Sequence, residues 1–247
     1  MLRFIILFFL FNVLFGGIQP HEDRIKTDEN SMLLVKKTED FSITGDGSAD
    51  NWNRAEWVEL TQRSNHANGL LTKLKILYSD TGMYVLFHNE DNILNATFDS
   101  HYEELWREDV VEVFLWTDES RPVYFEYELS PLNYELPLIV SNVEGELLHW
   151  IPFANSYHTE SDRKTHHKTT IIGGKKESGA EIDGWIAEMF IPFKLLHPLE
   201  NIEPVSGTTW RANFYRIDYD EGSSHWSWQP YRTNFHDYNN FGTILFE

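Results

Sequence analysis

Apolar and polar side chains in this chain alternate far more often than they recur at helical spacing. In Thr72-Lys73-Leu74-Lys75-Ile76-Leu77-Tyr78, Leu74, Ile76 and Tyr78 fall on one face, because successive strand residues point to opposite sides of a sheet. Asp80-Thr81-Gly82 reads as a turn, and Met83-Tyr84-Val85-Leu86-Phe87 is apolar on both faces, as a strand covered on both sides must be. Together they predict a β-hairpin. Asp109 to Trp116 is a second two-sided apolar run. Pro122 to Ser130 alternates, with Val123, Phe125, Tyr127 and Leu129 against Tyr124, Glu126 and Glu128. Trp185 to Ile191 ends at Pro192, which has no N–H to give a ladder. Trp210 to Asp218 and Phe241 to Phe246 complete the set. No segment sustains helical periodicity, and Phe193 to Leu196 fits a single helical turn.

This pattern predicts an all-β fold. The expected architecture is one antiparallel β-sandwich of two sheets, jelly-roll-like or immunoglobulin-like, over residues 32–247. Residues 155–182 are the main polar interruption, rich in Ser, Thr, His and Lys with Gly173-Gly174 and Gly179. They read as strands and a long loop of the same sandwich. Ahead of it, Arg3 precedes an apolar run from Phe4 to Phe15 and then Gly16-Gly17. A short basic start, an apolar stretch of about a dozen residues and small residues after it predict a secretory signal peptide over residues 1–17. The run is short for a membrane span, which takes about 20 residues. Residues 18–31 are polar and read as a leader. The expectation is an exported protein, secreted or periplasmic, with no membrane insertion after signal cleavage.

Composition narrows the function. Lys+Arg 20 against Asp+Glu 39 gives a formal net charge of −19. Phosphate backbones and anionic lipid surfaces both need a basic footprint, so nucleic-acid binding is not expected. The absence of cysteine removes disulfides, thiolate metal sites and a thiol nucleophile. An exported chain without disulfides points to a bacterial envelope. Nine Trp, 11 Tyr and 17 Phe in an acidic chain suit a protein that handles sugars.

Three stretches could carry chemistry. In a strand from Asp109, Val110, Glu112, Phe114 and Trp116 share a face, so Glu112 is a carboxylate among apolar neighbours. Such a charge needs a partner or a polar cleft. It could pair with Arg211 or Arg216, or accept sugar hydroxyls. Trp106 lies just before this strand among charges, where its flat face is available to a ligand. The second stretch, Trp210 to Asp218, puts Arg211, Asn213 and Tyr215 on one face and Arg216 and Asp218 on the other. An internal salt bridge is the favoured role for Arg216, and a polar cleft for Arg211, Asn213 and Tyr215. The third, Trp226-Ser227-Trp228-Gln229-Pro230 with Phe235-His236-Asp237, is either a surface aromatic platform or a cap on the sandwich, with one tryptophan in the core.

The order of these motifs resembles carbohydrate-binding module family 9, a β-sandwich of the broader DOMON-like superfamily. The matching pieces are Ile43-Thr44-Gly45-Asp46-Gly47 with Trp52, Met83 to Phe87, Leu105 to Leu115, Tyr124 to Pro131, Trp185 to Phe193, Trp210 to Asp218, Trp228, and Asn234-Phe235-His236 with Phe241 to Leu245. The resemblance implies a module without catalysis, holding an oligo- or polysaccharide in an aromatic-lined slot at one end of the sandwich. It places Trp106 as one clamp ring and Glu112 as the carboxylate that bonds sugar hydroxyls. Phe235 stands where the family has a second tryptophan, Glu128 where it has a basic side chain, and Tyr215 where it has an amide. Arg232 falls near another polar contact, and Arg211 and Trp228 complete the expected ligand-binding set. Family modules also hold structural calcium, for which Asp46, Asp50 and Asp91 are the candidate ligands, with no organic cofactor. The protein is expected to act as a monomer.

Two other classes remain on the table. A glycan-active enzyme could use paired carboxylates such as Glu112 with Glu126 or Glu128. A DOMON-like haem or redox domain needs Met or His axial ligands, and Met83 and Met189 sit in apolar strands that read as core. His158, His166 and His167 could bind metal from the polar segment.

Overall fold

The computed structural model describes residues 32–64, 68–159, 161–220 and 222–247. The signal peptide and leader expected over residues 1–31 lie outside the described residues. Thirteen strands run in order: β1 (Met32–Lys37), β2 (Val58–Gln62), β3 (Thr72–Tyr78), β4 (Gly82–Glu90), β5 (Val110–Trp116), β6 (Val123–Leu129), β7 (Glu135–Val143), β8 (Glu146–Pro152), β9 (His166–Ile172), β10 (Gly184–Pro192), β11 (Thr209–Asp218), β12 (Ser224–Ser227) and β13 (Gly242–Phe246). Helical turns are short, and Phe193–Leu196 is one of them, a 3-10 turn.

The strands form a sandwich. The first sheet runs β8-β7-β6-β5-β11, with β12 and β13 both paired to β11. The second runs β2-β3-β4-β10-β9. Pairing is antiparallel except at β1, which lies parallel to β13 through Met32–Val35 and then to β3 through Lys36 and Lys37. β1 thus passes from one sheet to the other, and β12 pairs with β2 to join the sheets a second time.

Strand alternation decides what each face buries. Val111, Val113, Leu115, Phe125, Tyr127, Leu129, Ala212 and Phe214 point inward and meet Leu74, Ile76, Val85, Phe87, Ala187, Met189 and Ile191 of the second sheet. Met83 and Met189 both belong to this core. The opposite face of the first sheet is also buried. Val110, Phe114, Trp116, Tyr124, Leu136, Leu138, Val140, Tyr215 and Ile217 form a separate cluster there under Trp106, Trp150, Tyr231 and Phe235. This double burial is why Val110–Trp116 carries no exposed position. Trp226 and Trp228 are both buried, so the third sequence stretch contributes two core tryptophans rather than one. Trp228 packs against Gly242, where a Cβ would come within 2.4 Å of the indole ring.

One side chain stitches the two sheets together. Arg216, on the inner face of β11, is fully buried. Its Nη1 donates to Thr72 Oγ1 of β3 at 3.1 Å and to the Glu90 carbonyl of β4 at 2.5 Å. Its Nη2 reaches Asp218 at 2.6 Å and Asp91 at 3.1 Å. The guanidinium lies 4.7 Å from the Trp226 ring centroid. The salt bridge expected for Arg216 is therefore present, with Asp91 as a second acceptor. Removing one partner of a buried pair strands the others without compensation, at a cost of about 3–5 kcal/mol. Arg216→Met should lower the unfolding free energy by about that much in a urea titration. Arg216→Lys should restore little of it, because an ammonium cannot present the guanidinium's fork.

Candidate functional site

The outer face of the first sheet carries a cavity of about 510 Å3. Its floor is made of Glu112 from β5, Glu126 from β6, Leu138 from β7 and Ile217 from β11. These are the outward positions of four adjacent strands. Trp106, from the 3-10 turn Leu105–Arg107, and Trp150, from β8, meet edge to face at 5.4 Å and form one wall. Tyr219 fixes the turn by donating its hydroxyl to the Trp106 carbonyl at 2.9 Å. The facing wall is the loop after β12, with Tyr231, Asn234, Phe235 and His236. Phe235 stacks on Tyr215 at 4.1 Å and 9°, and the Tyr215 hydroxyl donates to the Phe235 carbonyl at 2.8 Å. His225 also lines the cavity, with its Nδ1 3.1 Å from the Tyr231 hydroxyl.

The electrostatics of the floor are unusual. Glu112 and Glu128 are register partners across β5 and β6, and Glu126 lies two residues along on the same face as Glu128. All three are buried. Among the described residues no lysine or arginine pairs with them. Burial pushes Glu126 up to about 8. Burial and the Glu126 charge push Glu112 well above the ordinary carboxylate range. Burial and the charges of Glu112 and Glu126 do the same to Glu128. The physical cause is that water solvates a carboxylate far better than an apolar floor does, so the neutral acid is favoured. Beside them, burial holds His236 down to about 4, and its Nδ1 lies 2.6 Å from the Tyr124 hydroxyl. At neutral pH the floor therefore presents carboxylic acids and a neutral imidazole. Such a floor both donates and accepts hydrogen bonds, while its walls offer flat rings.

The family model for carbohydrate family 9 binding domain-like proteins matches residues 43–247. The chain belongs to this family. A candidate carbohydrate-binding protein from Bacteroides uniformis ATCC 8492 is similar at a TM-score of 0.71 and 17% identity, over 87% of this chain and 99% of that one. A carbohydrate binding module family 9 (CBM9) from Caldicellulosiruptor kristjanssonii, solved with cellotriose and with glucose, is similar at a TM-score of 0.59 and 19% identity. It covers 87% of this chain and 93% and 95% of those two chains. No match was found among curated proteins.

The family 9-like domain distributes the sequence candidates unevenly. Trp106, Glu112 and Phe235 line the cavity. Glu128 is fully buried behind Glu112, and Tyr215 is fully buried beneath Phe235. Trp228 is in the core. Arg211 donates to the carbonyls of Phe241 and Gly242 and reaches Glu119 at 3.3 Å, so it braces the loop instead of facing the floor. Arg232 is exposed on that loop, its amide bonded to Asp237 at 3.0 Å. Neither Arg211 nor Arg216 pairs with Glu112, because the first is spent on the loop and the second faces inward. The cavity lies on a sheet face, not at the end of the sandwich where a ligand slot was expected. Sequence reasoning did not pick out Trp150, His225 or Tyr231 as lining residues. Glu126 stood among the enzyme candidates and His236 in the platform motif.

The expected calcium ligands separate. Asp46 and Asp50 are exposed, and Asp46 accepts from the Ser48 amide at 3.0 Å. Asp91 instead joins Asp218 and Asp220, each offering a carboxylate oxygen within 4.8 Å of the others. Asp91 Oδ1 is buried without a hydrogen-bond partner. Three hard oxygen donors and an orphaned acceptor fit a calcium ion. Asp46 and Asp50 take no part in this group.

The floor acids make stability depend on pH. Glu126 has an ordinary value of 4.5 and is raised to about 8 in the fold, and Glu112 and Glu128 are raised too. A raised acid keeps a proton that the unfolded chain releases, so stability falls as pH rises through the interval. The buried His236 acts in the opposite direction, but only below its ordinary 6.5. Between pH 6.5 and 8.5 the floor acids act together with Asp91 and Asp109, which burial raises to about 7 and about 8 and which change stability in the same sense. Each retained proton costs about 1.4 kcal/mol per pH unit, and 1 kcal/mol moves the melting temperature by about 2–4 °C in a domain of this size. Scanning calorimetry in chelator should show the melting temperature falling by several degrees across that range. Glu128→Gln should flatten the slope and raise the value at pH 8.5.

Proposed function

We propose that this domain binds carbohydrate without chemical turnover, in the cavity between Trp106 and Phe235. The observation that carries the reading is the pairing of aromatic walls with a floor of buried carboxyls. A sugar ring is amphipathic: its C–H faces stack on rings and its equatorial hydroxyls need directed partners. Trp106 and Trp150 offer the first, and Glu112 and Glu126 offer the second. Buried polar groups in an otherwise apolar pocket are the usual source of orientation and specificity. The bound CBM9 neighbour was solved with cellotriose and glucose, so β-linked glucose oligomers are the first ligands to try.

The same floor supports the non-catalytic reading. Glycoside cleavage needs one carboxyl as acid and another ionised as base or nucleophile. Here burial raises Glu112, Glu126 and Glu128 together, and among the described residues no lysine or arginine pairs with them. For haem, Met83 and Met189 are core residues that do not line the cavity, and the lining His225 and His236 are engaged with the Tyr231 and Tyr124 hydroxyls. The apolar run at residues 4–15 supports export, and we read the protein as a secreted or periplasmic monomer.

Calorimetric titration against cellotriose, preceded by a glycan array, tests the reading. Trp106→Ala should weaken binding at least about fivefold, equivalent to roughly 1 kcal/mol, the scale of a lost aromatic contact. Trp150→Ala should do the same, and both variants should keep the circular dichroism of the parent. Binding that survives Trp106→Ala, Trp150→Ala and Glu112→Gln unchanged would remove the cavity as the site.

A calcium ion at Asp91, Asp218 and Asp220 belongs to this proposal as a structural element. Arg216 already pairs with Asp91 and Asp218 there, so the ion would add to that cation at the end of β4 and β11, balancing Asp220 and the unpartnered Asp91 Oδ1. Millimolar calcium should raise the melting temperature over that in chelator, and Asp220→Asn should abolish the gain. An unchanged melting temperature would refute the calcium site and leave the sugar site untouched.

A further inference from the structure

A second constellation lies away from the carbohydrate cavity, where the two sheets meet at one edge. Glu135 begins β7 of the first sheet, His167 sits on β9 at the edge of the second, and His101 lies in the loop before the Leu105–Arg107 turn. One ligand atom from each lies within 4.8 Å of the others. His167 Nε2 is 3.4 Å from Glu135 Oε1. Beside them opens a cavity of about 950 Å3, which all three line.

The surroundings fix which atoms are left over. Glu135 Oε2 accepts from the Tyr127 hydroxyl at 2.6 Å and from the Thr165 hydroxyl. Thr165 in turn is 2.7 Å from His158 Nε2, and His158 Nδ1 is 2.7 Å from the Tyr102 hydroxyl. In this chain Tyr102 donates to His158, His158 to Thr165, and Thr165 to Glu135. Every member is satisfied, and Glu135 Oε1 is left facing the imidazole of His167. The other nitrogen of that imidazole, Nδ1, is 3.0 Å from Asn133 Oδ1. An amide oxygen can only accept, so His167 Nδ1 carries a hydrogen and Nε2 is the nitrogen turned toward Oε1. The two atoms are 3.4 Å apart, a gap that either a proton on Nε2 or a metal cation bridges. An imidazole whose far N–H is held by an amide oxygen, next to a carboxylate held by two hydroxyls, has the outer-shell support that orients metal ligands.

We infer that His101, Glu135 and His167 form a binding site for a divalent transition metal of the zinc class. Two imidazoles and one carboxylate suit zinc, with a fourth position open toward the cavity for water or a ligand atom. Calcium is disfavoured there because it takes six to eight oxygens. His101 is exposed, and its Nδ1 sits 3.2 Å from the Glu135 amide, a contact it would exchange for the ion. The ion would clamp the edge strand β9 to the start of β7. This inference does not depend on the sugar reading, since the two sites share no residue.

The test uses untagged, chelator-stripped full domain. Equilibrium dialysis against zinc, with metal analysis, should give one saturable ion per chain. Cobalt substitution should produce the visible absorption of a low-coordinate histidine site. His101→Ala and His167→Ala should each weaken binding more than tenfold, and Asn133→Gly, which removes the outer support while keeping the left-handed backbone at φ 77° unstrained, by about tenfold. Trp106→Ala and Asp220→Asn should leave zinc binding as it is. A salt bridge between a protonated His167 and Glu135, with no metal role, predicts instead no saturable zinc binding below millimolar. That result, or binding that persists in both histidine variants with a folded circular dichroism spectrum, overturns the site.

Discussion

Three glutamates buried side by side on one sheet face, with no arginine or lysine among the described residues pairing with them, are the constraint around which the outer half of this domain is arranged. A carboxylate taken out of water without a partner costs several kcal/mol, and the cheaper solution is to keep the proton. The structure takes it: burial raises Glu112, Glu126 and Glu128 together. Neutral acids can sit against Phe114, Tyr124 and Tyr215, and the loop after β12 can close over them without trapping full charges. The price is a floor whose hydrogen-bonding capacity is only partly used. Glu128 is sealed against Glu126 and the Trp106 backbone, while Glu112 and Glu126 line the recess, the part of the floor that a ligand rich in hydroxyls suits.

The inner face of the same sheet solves its charge problem differently. There Asp91 and Asp218 converge on a single guanidinium, and Arg216 reaches across the sandwich to β3 and β4. That arrangement is stiff: Nη2 bridges both carboxylates, Nη1 holds β3 and β4, and the group is desolvated and backed by the Trp226 ring. The contrast separates structure from function. Where a cation is built in, the polar groups hold the sheets together. Where none is built in, the polar groups wait on a surface that a second molecule can reach.

Much of the fold was legible in the chain. Strands whose apolar residues alternate or fill both faces, such as Thr72–Tyr78 and Val110–Trp116, announce themselves because their environment is set by the sheet alone. β7 and β8 do not. Pro137 interrupts the first, and the second exposes Leu148 and Ile151, so neither carries a clean alternation. Their hairpin signal was the pair Glu144-Gly145, both with positive φ, but Glu-Gly is a weaker turn pair than Asn-Gly. Losing β8 meant losing Trp150, the ring that completes the cavity wall. The sequence candidates that line the cavity, Trp106, Glu112 and Phe235, are those whose position follows from an adjacent strand or motif. Arg211 was misread for a different reason. Alternation shows which side of a sheet a residue faces, yet not whether a loop carbonyl will claim it first.

A sheet buried on both faces needs two covers, and the two are made of different material here. The inner cover is the second sheet, regular and tolerant: solved neighbours keep the fold at 17–19% identity. The outer cover is irregular, made of the Leu105–Arg107 turn, the edge strand β8 and the loop after β12. Loops place side chains one at a time and cannot tile a surface without gaps. The gap falls over Glu112 and Glu126 because the rings around it are braced from behind, Trp106 by Trp150 and Phe235 by Tyr215. Braced rings cannot collapse into the opening, so the carboxyls stay accessible while the rest of the face stays dry. The recess is thus a consequence of covering a polar floor with rigid apolar pieces, and what enters it must match both.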